Sequence, residues 1–130
     1  MRKLSHPNII KLCDFYDQSD RYLLVMDLAP GKDLYERVRV QPYAEEEARI
    51  LFQNIIETVK YLHSMNVVHR DIKLENILMK SDGSRTDIFL ADFGFATECT
   101  ADELDECVGT PQYAGKLLYR DRTTLSLIFA

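Results

Sequence analysis

The most informative stretch of this sequence is His69-Arg70-Asp71-Ile72-Lys73-Leu74-Glu75-Asn76. It places an acid, a cation and an amide at positions i, i+2 and i+5. A long amphipathic stretch precedes it and a short apolar run follows it, so we expect a loop between a helix and a hairpin. Asp92-Phe93-Gly94 comes just after a second apolar run. The sequence therefore predicts polar side chains at both ends of one hairpin.

That arrangement of polar groups suits phosphate chemistry. Carboxylate and amide oxygens are the ligands that Mg²⁺ prefers, and a nearby lysine can neutralise phosphate charge. Phosphoryl transfer needs a positioned nucleophile, a held metal ion and stabilised charge. The residues from Asp71 to Asp92 predict a site of that kind.

The surrounding elements follow from apolar periodicity and turn residues. Residues 44–65 predict the clearest helix, with acids in its first turn. Its expected buried face carries Ala48, Leu51, Phe52, Ile55, Val59 and Leu62. A shorter helix is predicted over 33–40, and strands over 9–16, 21–28, 77–79 and 88–91, which form two hairpins. The strand at 21–28 is mostly apolar, so we expect it to be buried on both faces.

Composition narrows the class of protein. The chain has 130 residues, 46% of them hydrophobic, and a formal net charge of −5. These values favour one globular domain and argue against a surface for nucleic acid. The three cysteines, Cys13, Cys99 and Cys107, are scattered and form no CxxC spacing, so we expect free thiols, no zinc site and a reducing compartment. We see no secretory signal and no apolar run of membrane-spanning length, which predicts a cytoplasmic or nuclear protein.

Taken together, the motifs resemble the eukaryotic protein kinase family. HRDIKLEN (residues 69–76) matches the catalytic-loop pattern HRDxxxxN, and DFG (residues 92–94) matches the metal-binding motif. GTPQY (residues 109–113) and LSHPNIIKL (residues 4–12) add two further matches. The resemblance implies an α+β fold made of the end of a small lobe, a hinge and the first part of a helical large lobe.

The resemblance also implies a domain division. A partial kinase domain covers residues 1–113, and a divergent tail covers residues 114–130. Within the domain, residues 1–28 are a small-lobe remnant, residues 27–33 the hinge and residues 34–113 the large-lobe part.

Subtype features point to a serine/threonine kinase. Lys73, two residues after Asp71, is typical of serine/threonine kinases, and so is GTPQY. Residues 22–38 and the end of the long helix are most similar to the calcium/calmodulin-dependent kinase group. The implied reaction transfers the γ-phosphoryl group of Mg·ATP to Ser or Thr hydroxyls of a protein substrate. Nucleic acid and membrane are not expected as partners, and calmodulin could bind only through a segment that these residues do not contain.

Site roles come with the resemblance. Asp71 would be the catalytic base, Lys73 would contact the transferred phosphate, and Asn76 and Asp92 would hold Mg²⁺. The nucleotide would be bound by the gatekeeper Met26, the backbone of Asp27 and Ala29, Asp33 at the ribose, Glu75, Leu78 at the adenine floor, and Asp92. For Met26 and Leu78, plain core packing is an equally open reading.

Three more residues have implied roles. His69 and Phe93 would stack in an apolar column that joins the lobes, and Arg70 would bind a phosphate on the activation segment. That segment is acidic here, so one hypothesis has a carboxylate in place of the phosphate. The candidates are Glu98, Asp102, Glu103, Asp105 and Glu106. The alternative is a solvated acidic loop.

Some family motifs are missing from these residues. We find no GxGxxG loop and no VAIK-type lysine, and Ala114-Gly115-Lys116-Leu117 stands where an APE motif is expected. We therefore expect a chain truncated at both ends and catalytically impaired. The alternatives are a pseudokinase-like fragment that binds a nucleotide or partner without turnover, and a module that binds metal only.

Overall fold

The computed structural model describes residues 1–98, which form short strands around one long helix. In chain order the elements are β1 (Leu12–Asp17), β2 (Tyr22–Met26), β3 (Gly31–Asp33), α1 (Leu34–Val40), α2 (Glu45–Ser64), β4 (Val67–Val68), β5 (Ile77–Met79), β6 (Ile88–Leu90) and β7 (Thr97–Glu98). A 3-10 turn at Leu74–Asn76 leads directly into β5. The α+β class is confirmed.

The strands form three small antiparallel sheets. β1 pairs with β2, β3 pairs with β5 and β5 with β6, and β4 pairs with β7. A parallel bridge between Ile9 and Leu90 ties the N-terminal segment to β6. The two hairpins expected from the sequence are therefore present, with β3 added to the second of them.

The core lies between α2 and the β5–β6 hairpin. Leu62 is 1% exposed and Met79 0%. The cluster that they belong to consists of Ile9, Leu34, Leu51, Ile55, Val59, Leu62, Ile77, Met79, Ile88 and Leu90. Each such aliphatic side chain contributes about 1.5–3 kcal/mol when it is fully buried. This packing fixes the hairpin, and hence the loop in front of it, against the helix.

Helix α2 runs where its sequence predicted. Its first turn carries Glu45–Glu47, and the Ala44 N–H donates to the Glu47 carboxylate at 3.1 Å. Asn66, at φ 56°, reverses the chain after the last turn. Two residues of the expected buried face, Ala48 and Phe52, are instead exposed. They lie at the margin of the stripe. Thr58 is buried within it, and its hydroxyl is satisfied there by donating to the Asn54 carbonyl at 2.7 Å.

The expectation that the second strand is buried on both faces is wrong. All five residues of β2 are between 42% and 66% exposed. Among residues 1–98, β1 is the strand that pairs with β2. An apolar run indicates a strand that can be buried, but burial also needs an element packed against each face.

Gly31 brings β3 close to β5. A Cβ atom at this position would lie 2.6 Å from the Met79 Cβ and 2.6 Å from the Ser81 carbonyl oxygen. Only glycine fits this approach, which places the Asp33 end of β3 beside Leu78.

Within residues 1–98, no helix is both long and apolar enough to cross a bilayer.

Candidate active site

The β5–β6 hairpin brings the two signature segments to the same end of the fold. Asn76 immediately precedes β5, and Asp92 follows shortly after β6. The Ala91 N–H donates to the Asn76 carbonyl at 2.9 Å, which joins the two segments just beyond the paired strands. Antiparallel pairing thus juxtaposes residues that are far apart in the sequence.

Asp71, Lys73 and Asn76 form one hydrogen-bonded group. Asp71 is 4% exposed, and its Oδ2 accepts from the Lys73 ammonium at 2.8 Å and from the Asn76 amide at 3.0 Å. The same amide nitrogen donates to the Asp71 backbone carbonyl at 2.8 Å. The hydrogen bond to Asp71 raises the pKa of Lys73. A buried carboxylate is thus held in place by two donors, one of them charged.

The orientation of the Asn76 amide follows from its partners. Both atoms that it contacts, the Asp71 carbonyl and carboxylate oxygens, accept hydrogen bonds. The amide must therefore present its NH₂ group to them. The amide oxygen points elsewhere and is the atom that can ligate a cation.

His69 supports the loop from below as a neutral side chain. Its Nδ1 accepts from the Asp71 N–H at 3.3 Å, so the ring proton sits on Nε2 and is donated to the Ala91 carbonyl at 3.0 Å. Burial lowers the pKa of His69, which keeps this tautomer uncharged. The His69 ring also contacts the Phe93 ring edge-on, with 4.7 Å between the ring centroids. His69 thereby connects the Asp71 loop to the Asp92 segment.

Two loop residues adopt left-handed backbone conformations. Arg70 has φ 66° and Asp92 has φ 55°. Neither is a glycine, so the surrounding contacts must hold them there. The Arg70 Nε donates to the Phe95 carbonyl at 2.7 Å, and the Asp92 Oδ1 accepts from the Gly94 N–H at 3.2 Å. The second of these bonds ties the exposed Asp92 carboxylate to the turn that follows it.

The expected nucleotide residues lie around the connection from β2 to β3. Met26 ends β2, and the Asp27 N–H donates to the Lys11 carbonyl at 3.0 Å. Met26 and Asp27 are exposed, and Ala29 is half-buried. Core packing of Met26 is therefore excluded within residues 1–98. Its role at a nucleotide stays a prediction.

Asp33, Leu78 and Glu75 lie nearer to the catalytic loop. The Asp33 Oδ1 accepts from the Glu36 N–H at 2.8 Å, so this residue caps α1, a role that our sequence prediction did not assign to it. Leu78 is the register partner of Asp33 and of Phe89. It lies on the sheet face opposite the buried Ile77 and Met79 and is only half-buried. Glu75 is exposed in the 3-10 turn.

The structure describes one of the acidic residues that were candidates for binding Arg70. Of the acidic candidates, Glu98 is described, and its carboxylate binds the Lys3 ammonium at 2.8 Å. The other candidates, Asp102, Glu103, Asp105 and Glu106, lie outside the described residues, as do GTPQY and Cys99 and Cys107.

The sequence did not predict that the Ala91 backbone carbonyl would accept a hydrogen bond from His69. A backbone carbonyl is present in every residue, so residue types carry no signal for it.

Comparison with known proteins identifies the family of this chain. The sequence model of one family, described as "Protein kinase domain", matches residues 1–123. A serine/threonine-protein kinase of Drosophila yakuba is 43% identical over 116 residues, which are 87% of this chain and 15% of that protein. Calcium-dependent protein kinase 5 of Plasmodium falciparum is 36% identical over 94% of this chain and 22% of its own length. Myosin light chain kinase A of Dictyostelium discoideum is 37% identical over 87% of this chain and 39% of its own. The chain thus spans less than half of each relative.

Proposed function

We propose a phosphoryl-transfer function on the premise that this chain belongs to the protein kinase family, which its match over residues 1–123 shows. The reaction moves the γ-phosphoryl group of Mg·ATP to a Ser or Thr hydroxyl of a protein. The observation that supports it best is the buried Asp71 carboxylate, held between Lys73 and Asn76. The similarity to a serine/threonine-protein kinase of Drosophila yakuba supports the choice of hydroxyl.

Asp71 is the proposed base. The attacking hydroxyl loses its proton to the carboxylate while its oxygen bonds to the γ-phosphorus, and the bond to the β-γ bridging oxygen breaks to release ADP. The Lys73 ammonium and the Asn76 amide both donate to Oδ2, and these two hydrogen bonds fix the orientation of the carboxylate that is proposed to accept the proton.

Lys73 has a proposed role beside the transferred phosphate. Its ammonium lies 2.8 Å from Asp71, and the raised pKa of Lys73 keeps it charged at neutral pH. A fixed positive charge at this place stabilises the negative charge that develops on the phosphoryl oxygens. The ion pair between Asp71 and Lys73 thus positions the proposed base and the positive charge next to each other.

Asn76 and Asp92 are the proposed Mg²⁺ ligands. An amide oxygen and a carboxylate at the open end of the hairpin match the donor set that Mg²⁺ takes, with phosphate oxygens and water completing it. When bound, Mg²⁺ would supply charge neutralisation at the phosphates. The protein's part is to hold both ligands next to the ends of β5 and β6, two strands that the core fixes in place.

The nucleotide itself is proposed to lie between the β2–β3 connection and Leu78. Met26, Asp27, Ala29, Asp33, Glu75 and Leu78 would surround it. The pairing of Asp33 with Leu78 supports this, because a polar and an apolar side chain meet where ribose and adenine would need them. The division into residues 1–28, 27–33, 34–113 and 114–130 remains part of the proposal.

A second candidate is nucleotide or partner binding without turnover. In its favour, these residues contain no GxGxxG loop and no VAIK-type lysine, both of which hold phosphates in active kinases. We infer that residues 1–130 alone turn over slowly.

The decisive experiment measures phosphate transfer from labelled Mg·ATP to a Ser/Thr peptide, using residues 1–130. We expect weak transfer that Asp71→Asn lowers by about 10²–10⁴-fold, since it removes the base. The matched control is Asp82→Asn, an exposed acid on the turn between β5 and β6. Equal transfer by wild type and Asp71→Asn would exclude Asp71 as the base.

A thermal melt with and without Mg·ATP separates the two candidates. A rise in melting temperature that Asp92→Ala abolishes, without measurable transfer, would establish binding alone. If residues 1–130 show no transfer and no nucleotide-dependent rise, both phosphoryl transfer and nucleotide binding are overturned for this chain, and partner binding is what is left of the second candidate.

A further inference from the structure

Arg37 fastens the short helix α1 to the turn between β5 and β6. Its side chain is 19% exposed, and its Nη2 donates to two consecutive backbone carbonyls, Ser81 at 3.1 Å and Asp82 at 2.9 Å. The Asp82 carboxylate lies 3.5 Å from the same nitrogen and is 80% exposed, so it adds little. The contact is therefore a charge-assisted link from one side chain to the backbone of the turn.

Helix α1 needs such a link, because it is too short to hold its own position. It has seven residues, and helices of this length are marginal in water without tertiary contacts. Leu34 is its buried residue, at 2% exposure, and belongs to the core cluster. Arg37 follows Leu34 by three residues, so both side chains lie on the same side of the helix. Leu34 holds α1 against the core, and Arg37 holds it on the turn.

Strand β3 and helix α1 both reach the same point of that turn. The chain runs along β3 from Gly31, where a Cβ atom would lie 2.6 Å from the Ser81 carbonyl oxygen, to Asp33. It then enters α1, and Arg37 returns to the same Ser81 carbonyl. Asp33 therefore lies at a bend whose two arms are both attached at Ser81.

This bend carries the residue that is proposed to contact the ribose. The Asp33 Oδ1 accepts from the Glu36 N–H at 2.8 Å, which couples the orientation of the carboxylate to the first turn of α1. A displacement of α1 would therefore displace the carboxylate as well. We propose that Arg37 is a positioning residue for the nucleotide: by holding α1 on the turn, it places Asp33 for hydrogen bonds with the ribose hydroxyls. This inference rests on the proposed nucleotide site.

The groups proposed for chemistry have supports of their own. Asp71 is bound by Lys73 and Asn76, and β5 and β6 are fixed by the core. Arg37 acts from the turn, at the opposite end of the hairpin. Its loss should therefore weaken recognition of the sugar and leave the proposed phosphate and metal ligands in place.

NMR titrations of residues 1–130 with two nucleotides test the proposal. The ligands are Mg·ATP and the Mg²⁺ complex of 2′,3′-dideoxyATP, which lacks both ribose hydroxyls. We expect the wild type to bind ATP about tenfold more tightly, since the hydroxyls hydrogen-bond to a charged group. Arg37→Met keeps a stem of similar width but removes the donors, and should reduce the ratio to about threefold or less. Arg37→Gln, which is too short to reach the turn, should do the same.

The matched control is Arg39→Met, which removes the same charge from the same helix. Arg39 is exposed and stacks over the Tyr35 ring, 5.6 Å from the ring centroid. We expect Arg39→Met to keep the wild-type ratio.

The Glu36 amide reports on the bend without any nucleotide. Its hydrogen exchange with solvent should be several-fold faster in Arg37→Met than in the wild type, because the bond to Asp33 depends on a firmly held α1. Arg39→Met should leave this exchange rate unchanged.

Several results would overturn the positioning role of Arg37 alone. One is a nucleotide ratio that Arg37→Met and Arg37→Gln leave at the wild-type value. Another is an unchanged exchange rate of the Glu36 amide in Arg37→Met. A third is a ratio that Arg39→Met lowers as far as Arg37→Met does, since any charge on α1 would then have the same effect.

Two other results would go further. Equal binding of the two nucleotides by the wild type would exclude the ribose contact of Asp33, and with it the role of Arg37. A wild type that binds neither nucleotide would overturn the proposed nucleotide site itself.

Discussion

Strand β2 and the β5–β6 hairpin are equally apolar but have opposite surroundings. β2 is Tyr-Leu-Leu-Val-Met, and β5 and β6 are Ile-Leu-Met and Ile-Phe-Leu. Ile77, Met79, Ile88 and Leu90 are buried under α2, whereas every residue of β2 is exposed. Hydrophobicity is thus not what separates them. The difference is that a helix packs on one hairpin and none of the described helices covers the other.

This difference has a consequence for the site. The groups proposed for chemistry, Asp71, Asn76 and Asp92, lie beside the hairpin that α2 fixes. The groups proposed for the adenine, Met26 and Asp27, lie at the end of the exposed hairpin. Segments with few buried contacts open at low free energy. We therefore expect the catalytic loop to be held more firmly than the nucleotide hinge.

The largest expected difference in stability is between two leucine truncations, one on α2 beneath the β5–β6 hairpin and one on β2. Leu62→Ala removes a fully buried side chain and should lower the free energy of unfolding by about 2–5 kcal/mol. Leu24→Ala removes a side chain that is half exposed, and its cost should stay below about 1 kcal/mol. Urea denaturation of both variants gives the two values. A larger loss for Leu24→Ala would contradict the contrast between the hairpins.

A smaller effect is expected where β3 meets β5. Gly31→Ala places a Cβ 2.6 Å from Met79 and from the Ser81 carbonyl, so the strands must separate, at about 1–3 kcal/mol. The matched control is Gly83→Ala on the β5–β6 turn, where a Cβ has no neighbour within 4 Å. Denaturation midpoints compare the two. Equal midpoints would mean that β3 is not packed as tightly as the structure shows.

His69 should make stability depend on pH. Because burial lowers the pKa of His69, the unfolded chain binds its proton first as the pH falls. The contribution of His69 is complete above about pH 6.5, the ordinary histidine value, and decreases below it. His69→Phe should therefore give a flatter loss of stability between pH 7 and pH 5. Burial also lowers the pKa of His6, but that residue is present in both proteins, so only the difference in slope belongs to His69. Identical slopes would contradict the buried neutral tautomer.

Motif and periodicity predicted the packed region well and the exposed region poorly. Helix α2, the loop from His69 to Asn76 and the β5–β6 hairpin follow from local patterns, because each pattern there agrees with its packing. The burial of β2 could not be predicted, since it depends on what lies against the strand. The N-cap role of Asp33 could have been predicted, because an Asp at the start of a predicted helix is a capping signal. The bond from His69 to Ala91 could not, because it ends on a backbone carbonyl. The roles of the site residues remain predictions.

The smallest expected contrast concerns two ion pairs. Arg85 lies on the turn between β5 and β6, and its guanidinium binds the Glu47 carboxylate at 2.8 Å and the Pro42 carbonyl at 3.0 Å. The guanidinium also stacks over the Tyr43 ring, 4.2 Å from the ring centroid. Lys3 binds Glu98 at 2.8 Å between two exposed side chains. Arg85→Ala removes packing along with charge and should lower the melting temperature measurably. Lys3→Ala should not, because exposed pairs contribute little and salt screens them. If Lys3→Ala were the more destabilising variant, the N-terminal segment would be held by charge, and the division into a packed and an exposed region would need to be redrawn.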